Sequence, residues 1–337
     1  MNTNTVRLVQ LQHPSGRRIA LVDEPYISVI GNFSSVYDLA LTAIDTKTSI
    51  INIIVEAVKG TRLDYDQVYN GNSDWKLLPA FDHPTNLMSC LVSGTGLTHK
   101  NSAFNRQMMH QAADEKPTDS MQMYKWGVEG GNPPAGKIGV QPEWFYKGNG
   151  SVLKAHGDFL EVPPYANDGG EEPEIAGLYI IDRTGNPNRI GFCTGNEFSD
   201  HVMEKKNYLY LAPSKLRQCA IGPELVVNAD FSDFKGTVSI QRDNKMLWES
   251  PVHSGEKNMA HNLANLEYHH FKYEGHRIPL QAHVHFFGAD AFSYGNKVTL
   301  QHNDEMRVEW NDMGRPLKNY LKVAEEEEKP ILIQSLS

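Results

Sequence analysis

The chain has 337 residues, of which 40% are hydrophobic and 22% are charged, a composition that is ordinary for a globular protein of one or two domains. Lysine and arginine number 32 against 41 aspartates and glutamates, so the formal net charge is −9. An acidic chain without a basic block is a poor electrostatic match to a phosphate backbone, which excludes nucleic acid as the expected partner. The expected ligands are instead neutral small molecules, or anions that are reached through a bound cation.

The first 85 residues predict a small α+β domain. Short β-rich runs at 6–10, 18–22 and 26–30 come first. Ser35 is the predicted N-cap of a helix over 36–46, and a second helix is predicted around 49–58. The stretch 75–84 is typical of a linker on a surface, so we place the domain boundary near residue 85.

Residues 86–337 predict a larger domain that is mostly β. Short apolar runs separated by Gly and Pro recur along this part, and the clearest helical stretch lies at 101–115. The strand–helix alternation of a doubly wound sheet is missing, so we expect a mixed or barrel-like arrangement of strands. The run Glu325–Glu328 is expected to be a solvated tail because a block of like charges cannot bury a face.

The three cysteines, Cys90, Cys193 and Cys219, are too few and too far apart for a disulfide framework. Residues 1–10 lack the apolar core of a secretory signal. The longest apolar run, at 50–58, is far shorter than the roughly 20 residues that cross a bilayer. We therefore predict a cytoplasmic protein without a membrane partner.

The strongest cluster of chemistry-bearing residues is acidic. Glu172-Pro173-Glu174 opens the apolar run 175–182, and residues i and i+2 of a strand share a face, so both carboxylates can converge. Glu197 follows the next β-type run and can meet this pair across neighbouring strands. Convergent carboxylates repel unless a cation lies among them, and ligands that are all oxygen indicate a hard ion such as Mg²⁺ or Mn²⁺. The alternative is a solvated, acidic strand edge.

The histidines suggest a second metal hypothesis, because seven of the 14 lie between His253 and His285. His283 and His285 form an i, i+2 pair, and a third ligand would have to be supplied by His269, His270 or His276. No glutamate follows this pair at the spacing that a cupin-type site requires. We therefore favour structural, hydrogen-bonding histidines, with His283 or His285 left as candidates for a pocket wall.

Two lysines are predicted to lie in apolar surroundings, and Lys215 is the candidate for catalysis. Lys215 comes after an apolar run that we interpret as a strand, and Lys147 ends the run 143–147. An apolar setting desolvates a lysine and suits it to proton transfer. Glu143 lies four residues before Lys147, so a strand would place both on one face. The alternative for each lysine is a surface position with a buried stem.

Six segments occur in the order that is typical of one enzyme superfamily. They are GTGLTH at 94–99, PEWFYKGNGSV at 142–152, EPEIAGLYII at 172–181, GFCTGNEFSD at 191–200, PSKLRQCAIGPEL at 213–225 and DEMRVEWNDMGRPLKN at 304–319. With them, the chain resembles the fumarylacetoacetate hydrolase superfamily over roughly residues 85–320. The likeness is greatest to its 2-keto-3-deoxy acid-sugar dehydratases and to a bacterial group associated with L-arabinose.

This resemblance implies a fold, an activity and a set of site residues. The fold would be α+β and mostly β, with a mixed β-roll as catalytic domain, and the protein would be a homodimer. The activity would be that of a lyase, a dehydratase that acts on a 2-keto-3-deoxy sugar acid through a metal-stabilised enolate. The implied metal ligands are Glu172, Glu174 and Glu197, holding Mg²⁺ or Mn²⁺. For this chemistry we ourselves expect Glu143 as the base and Lys215 as the second catalytic residue. The expected substrate-binding residues are Lys147, Phe145, Asn196 and Phe287.

Two departures from the superfamily pattern bear on the reaction. Ser102 stands where the hydrolases carry a histidine that activates water, and His99 is three positions early. The terminal Thr-Gly-Thr is replaced by 287–289, which reads Phe-Gly-Ala. Both departures favour elimination over C–C hydrolysis. Two alternatives stay open: a hydrolase, decarboxylase or tautomerase of a 2-keto or 1,3-diketo acid, and a sugar-acid binding protein without turnover.

Overall fold

The structure is a computed structural model that describes residues 5–57, 59–101, 103–104 and 118–336. Its strands are β1 (Val6–His13), β2 (Gly16–Asp23), β3 (Tyr26–Ile30), β4 (Lys59–Asp64), β5 (Lys76–Leu77), β6 (Cys90–Gly96), β7 (Glu143–Asn149), β8 (Leu153–Lys154), β9 (Phe159–Val162), β10 (Pro173–Ile181), β11 (Pro187–Asn196), β12 (Cys219–Val227), β13 (Phe234–Arg242), β14 (Lys245–Ser254), β15 (Ala282–Phe286), β16 (Glu305–Trp310) and β17 (Leu317–Val323). Its α-helices are α1 (Val36–Thr46), α2 (Ile50–Glu56), α3 (Tyr65–Tyr69), α4 (Asp119–Gly130), α5 (His201–Lys206), α6 (Leu211–Lys215) and α7 (Leu263–Phe271).

Within the described residues, the strands form two sheets. The first has the order β4-β3-β2-β1-β12-β11-β10-β15-β6-β7, with β5 paired to β1 and β8 paired to β12. The second has the order β14-β13-β16-β17-β9. Most pairs are antiparallel, but β15–β6, β12–β8 and β17–β9 are parallel. The fold is therefore mostly β with mixed sheets, as the sequence predicts.

Strand β10 separates two hydrophobic cores because successive side chains of a strand point to opposite faces. Ala176, Leu178 and Ile180 face the core that α1 and α2 cover. Ile175, Tyr179 and Ile181 face the other core, which contains residues of the second sheet. Every residue of β10 is buried. The strand thus lies at the centre of the molecule, and the acidic residues at its start are brought into the interior.

The N-terminal strands extend the central sheet. Strand β1 pairs antiparallel with β12, from Val6 opposite Val227 to Leu8 opposite Leu225. The predicted helix over 36–46 is α1, and the Ser35 side chain accepts a hydrogen bond from the backbone N–H of Asp38, as an N-cap does. Strands on both sides of residue 85 share one sheet. The division of the chain into two domains at this residue stays a prediction.

The stretch 75–84 is not a surface linker, contrary to our expectation. Lys76–Leu77 forms β5 beside β1, and Ala80 and Phe81 are fully buried in the core beneath α1. The Asp82 carboxylate accepts hydrogen bonds from Arg17 and Gln10, which fix the stretch against the sheet. The apolar residues of this stretch therefore belong to the core.

The apolar run before Lys215 is helical, whereas we expected a strand. Tyr208–Tyr210 forms a 3₁₀ turn, and α6 follows it directly. The Asn207 side chain caps the turn by accepting a hydrogen bond from the Leu209 N–H. Leu209 is 84% exposed, so hydrophobicity alone misled the prediction. The helix predicted at 101–115 lies mostly outside the described residues.

No helix among the described residues is both long enough and apolar enough to cross a membrane. The residues of the Glu325–Glu328 run are exposed, as expected of a solvated tail.

Candidate active site

Three glutamates converge where β10 begins and β11 ends. The two strands are antiparallel, with Pro173 opposite Asn196 and Glu174 opposite Gly195, so the residues at these ends are neighbours. One ligand atom from each of Glu172, Glu174 and Glu197 lies within 4.8 Å of the others. Among the residues that the structure describes, these three side chains lie close enough together to hold a metal ion. The predicted convergence across neighbouring strands is confirmed.

Backbone hydrogen bonds fix the positions of these carboxylates. The Glu197 N–H donates to the Glu172 carbonyl at 2.9 Å, which joins the two strand ends. The Glu174 carboxylate accepts the N–H of Gly288 at 2.6 Å. Gly288 has a φ of +96°, and a Cβ there would lie 2.1 Å from Thr98 Oγ1. A glycine is therefore required at the position that supports Glu174.

Two buried lysines neutralise part of this negative charge. Lys215 Nζ lies 2.6 Å from Glu172 Oε1 and 2.7 Å from Glu197 Oε2. Lys147 Nζ lies 2.5 Å from the other oxygen of Glu197. Both side chains are almost fully buried. Lys215 thus bridges two of the three convergent carboxylates.

Strand β7 presents three buried side chains, of which one contacts Lys215 and another contacts Tyr208. Glu143, Phe145 and Lys147 alternate with less buried residues, so they share its inner face as the i, i+2 rule predicts. The Lys215 ammonium lies 4.8 Å from the centre of the Phe145 ring, a cation–π contact. Tyr208 donates a hydrogen bond to Glu143 Oε2 at 3.1 Å. Strand β7 therefore places an aromatic ring beside the bridging lysine and a carboxylate on the same strand face as that ring.

His201, at the start of α5, completes the surroundings of Glu172. Its Nε2 lies 3.1 Å from Glu172 Oε1, the oxygen that also accepts from Lys215. Burial alone would lower the pKa of His201, but the contact with Glu172 outweighs burial and raises that pKa. Glu172 Oε1 therefore contacts both the imidazole of His201 and the ammonium group of Lys215.

The environments of the three glutamates differ. Burial would raise the pKa of Glu172, but Lys215 and His201 outweigh it and hold that pKa well below its usual range. Burial, followed by the charges of Glu197 and Glu172, raises the pKa of Glu174 well above its usual range. Burial also raises the pKa of Glu197, although Lys147 and Lys215 oppose it. Glu174 is thus the carboxylate with the least compensation.

The donor set fits a hard divalent cation. Carboxylate oxygens are the ligands of Mg²⁺ and Mn²⁺, whereas a structural zinc site would use thiolate or imidazole. A cation would also offset the burial and the carboxylate repulsion that together raise the pKa of Glu174. Glu172, Glu174 and Glu197 could therefore hold such an ion.

A small cavity of about 20 Å³ opens onto the carboxylates. Its lining comprises Gly96, Leu97, Glu172, Glu174, His201, Glu204, Lys215, Gly288, Ala289 and Phe292. A larger cleft of about 750 Å³ lies between the α1–α2 turn and the far ends of β10 and β11. Glu172, Glu174 and Lys215 line the small cavity and not the larger cleft, so the small cavity is the candidate site.

Two residues that we predicted to bind substrate, Asn196 and Phe287, do not line the small cavity. The Asn196 side-chain oxygen accepts a hydrogen bond from the Glu172 N–H at 3.3 Å, so this amide supports the backbone of a candidate ligand. The Phe287 ring packs in the core between the two sheets, 5.0 Å from Phe231 and 6.3 Å from Phe192. These contacts do not support a role for the Phe287 ring in the cavity.

The histidine cluster is hydrogen-bonded within itself and to hydroxyl groups. Both ring nitrogens of His285 contact hydroxyls, Ser93 at 2.8 Å and Thr95 at 2.7 Å. His270 Nε2 lies 3.0 Å from His283 Nδ1. This agrees with the structural interpretation that the sequence favours. His99, considered for water activation, is buried and contacts Thr98 Oγ1 at 2.9 Å, and Ser102 lies outside the described residues.

Sequence reasoning missed several residues of the site. The residues concerned lie on short helices and loops and therefore carry no spacing signal. They are His201, Glu204 and Phe292, which line the cavity, and Tyr208, which contacts Glu143. The sequence signal that could have indicated them is the polar tract directly after Glu197, which contains Ser199, Asp200, His201 and Glu204.

No protein-family model matches the sequence. A curated relative, a probable 2-keto-3-deoxyxylonate dehydratase of Haloferax volcanii, is 30% identical over 121 residues, which is 34% of this chain. The matched segment spans 40% of the length of that relative.

Solved structures match over nearly the whole chain. A 2-keto-3-deoxy-D-arabinonate dehydratase complexed with magnesium and 2,5-dioxopentanoate aligns with a TM-score of 0.70 at 18% identity, covering 95% of this chain and 100% of that one. The protein shares its fold. A 2-hydroxyhepta-2,4-diene-1,7-dioate isomerase of Mycobacterium marinum aligns with a TM-score of 0.58 at 13% identity, again over 95% of this chain and 100% of the other. The resemblance drawn from the six sequence segments is confirmed at the level of the fold.

Proposed function

We propose that the protein is a metal-dependent dehydratase, a hydro-lyase of carbohydrate metabolism that removes water from a 2-keto-3-deoxy sugar acid such as a 2-keto-3-deoxy pentonate. The observation that carries the proposal is the convergence of Glu172, Glu174 and Glu197, two of which, Glu172 and Glu197, also contact the ammonium group of Lys215. A dehydratase of the same fold has been solved with magnesium and 2,5-dioxopentanoate, which supports this assignment.

Glu172, Glu174 and Glu197 would hold Mg²⁺ or Mn²⁺. The bound ion would supply positive charge that polarises the keto oxygen and makes the neighbouring C3 protons more acidic. It would also reconcile an anionic substrate with a protein of net charge −9.

The proton transfers are assigned to residues of the chain itself. Glu143 would accept a proton from C3, and the hydrogen bond from Tyr208 to Glu143 Oε2 holds the carboxylate in place. Lys215 would donate a proton to the leaving C4 hydroxyl, which departs as water while the C3–C4 double bond forms. Phe145 packs on the Lys215 ammonium, and Lys147 holds Glu197 in position.

Three further assignments are proposals of the same kind. Residues 1–85 would form a small domain that extends the sheet of a catalytic domain spanning residues 86–337, and the protein would be a homodimer. We also propose a cytoplasmic location, which the free, buried thiols of Cys90, Cys193 and Cys219 support.

The test is a turnover screen of 2-keto-3-deoxy pentonates and hexonates with added Mg²⁺ or Mn²⁺ and with a chelator, the products being identified by mass. The proposal expects metal-dependent loss of one water from the substrate. Cleavage into two carbon fragments would identify a hydrolase instead, and tight binding of the sugar acid without any product would identify a binding protein.

A further inference from the structure

A carboxylate outside the convergent triad anchors the loop that follows β15. Glu171 is fully buried, and its two oxygens accept hydrogen bonds from Ser293, one from the backbone N–H at 2.6 Å and one from the hydroxyl at 2.8 Å. Such paired bonds to a carboxylate fix both the position and the orientation of the donor residue. The residue directly before Glu172 therefore holds Ser293 in place.

The neighbours of Ser293 stack on the imidazole of His201. Phe292 lies 4.9 Å from the His201 ring, centre to centre, at an interplanar angle of 2°. Tyr294 lies 5.1 Å from it at 21°. The other ring nitrogen of His201, Nδ1, faces Gly170. A Cβ on Gly170 would lie only 2.8 Å from this nitrogen. Stacking and this close approach together restrict the plane and the rotation of the imidazole ring.

The restricted ring presents Nε2 to Glu172 Oε1 at 3.1 Å. A donor at this position fixes the direction of the carboxylate, which is one of the three candidate metal ligands. Partners of metal-ligating groups orient those ligands, and their loss typically weakens metal affinity roughly 10–100-fold. The contacts therefore lead from Glu171 to Ser293, through the rings of its two neighbours to His201, and from His201 to Glu172. Because Glu171 and Glu172 are adjacent in the chain, the path returns to its starting point.

We infer that Glu171, Ser293, Phe292 and Tyr294 position His201 and, through it, the carboxylate of Glu172, one of the candidate metal ligands. We call these four residues the aromatic brace. The inference rests on the proposed function for the identity of the bound ion. Ser293 and Tyr294 are positioning residues, since they act on the metal site only through His201.

The experiment is a Mn²⁺ titration of the full chain, in which the electron paramagnetic resonance signal of free Mn²⁺ gives the dissociation constant. Tyr294→Leu removes a stacked ring without a change of charge, and we expect a dissociation constant raised roughly 10-fold. Tyr294→Phe keeps the ring and should restore affinity close to that of the wild type. Ser293→Ala removes one of the two bonds to Glu171 and should weaken binding in the same direction.

The matched control is Tyr268→Leu, which removes a ring that contacts His269 on α7, away from the carboxylates. It should bind Mn²⁺ as the wild type does. If Tyr294→Leu and Ser293→Ala, with thermal unfolding like that of the wild type, bind Mn²⁺ with unchanged affinity, the aromatic brace has no positioning role. If the wild type itself fails to bind Mn²⁺ or Mg²⁺, the proposed function fails, which is a different result from the first.

Discussion

The charge balance of the site depends on individual residues. Three buried carboxylates share two ammonium groups, which form ion pairs with Glu172 and Glu197, whereas Glu174 accepts a hydrogen bond from a neutral backbone N–H. A cation bound among the three would gain most from an ionised Glu174. This residue is therefore the most sensitive test of the metal assignment.

Glu174→Gln should abolish both Mg²⁺ binding and turnover, because it replaces a charged ligand by a neutral amide in a site that lacks other uncompensated charge. Isothermal titration with Mg²⁺ and the turnover assay measure the two effects. Glu326→Gln, in the exposed acidic run, is the control for loss of one negative charge. Normal turnover by Glu174→Gln would show that the metal assignment is wrong.

Lys215 and a metal ion would compete for the same oxygens, since its ammonium group lies within 2.7 Å of both Glu172 and Glu197. Lys215→Met should therefore lose turnover while it binds Mn²⁺ at least as tightly as the wild type. Mn²⁺ titration and product analysis of the same preparation separate these two effects. A variant that retains turnover would remove Lys215 from the proposed proton transfer.

At the scale of elements, sequence periodicity predicted the strands of the site better than its short helices. The i, i+2 spacing correctly placed Glu143 with Lys147 and brought Glu172 and Glu174 together, because strand geometry fixes which side chains share a face. The tract 201–216 could not be predicted in this way. Several of its apolar residues, such as Leu209 and Leu216, are exposed, so the usual link between hydrophobicity and burial fails there.

The 3₁₀ turn over Tyr208–Tyr210 places the Tyr208 hydroxyl against Glu143, a contact that the sequence does not predict. Tyr208→Phe removes a hydrogen bond to a carboxylate, and we expect kcat to fall about 10-fold with little change in KM. Tyr210→Phe alters the half-exposed neighbour in the same turn and serves as control. Equal kinetics for both variants would mean that the hydrogen bond does not assist Glu143.

At the scale of the whole molecule, a buried carboxylate connects the N-terminal strands to the central sheet. Glu224 on β12 is fully buried and contacts Arg7 on β1 at 3.1 Å, the Tyr65 hydroxyl at 2.9 Å and the Arg315 N–H at 3.0 Å. These contacts span residues on both sides of the predicted boundary at residue 85. Sequence periodicity could not predict this, because side chains distant in sequence show no common spacing.

Glu224→Ala should lower the free energy of unfolding by about 3 kcal/mol, because it leaves buried donors without their acceptor. Urea denaturation at neutral pH measures this change. Arg62→Ala, which removes an exposed pair with Asp23 at 3.8 Å, should cost no more than about 0.5 kcal/mol. Equal costs for the two variants would argue against Glu224 as a connection between the N-terminal strands and the sheet.

The buried histidines make the stability of the whole molecule depend on pH. Burial lowers the pKa of His283 and of His285 to about 3, and that of His261 to about 4, against an ordinary value near 6.5. Below pH 6.5 the unfolded chain takes up protons at these sites while the folded chain does not. Each such histidine therefore removes at most about 1.4 kcal/mol of stability per pH unit as the pH falls from 6.5 towards 4.

Urea denaturation between pH 7.5 and pH 5 should show that the free energy of unfolding declines as the pH falls. In His285→Gln, the slope of the free energy of unfolding against pH should be smaller. Glutamine keeps a donor and an acceptor for Ser93 and Thr95, which the imidazole contacts through both nitrogens, yet it takes up no proton in the unfolded chain. The comparison of the two slopes isolates this histidine from the carboxylates, which titrate equally in both proteins. An unchanged slope in His285→Gln would mean that the folded protein admits a proton at His285 as readily as the unfolded chain does.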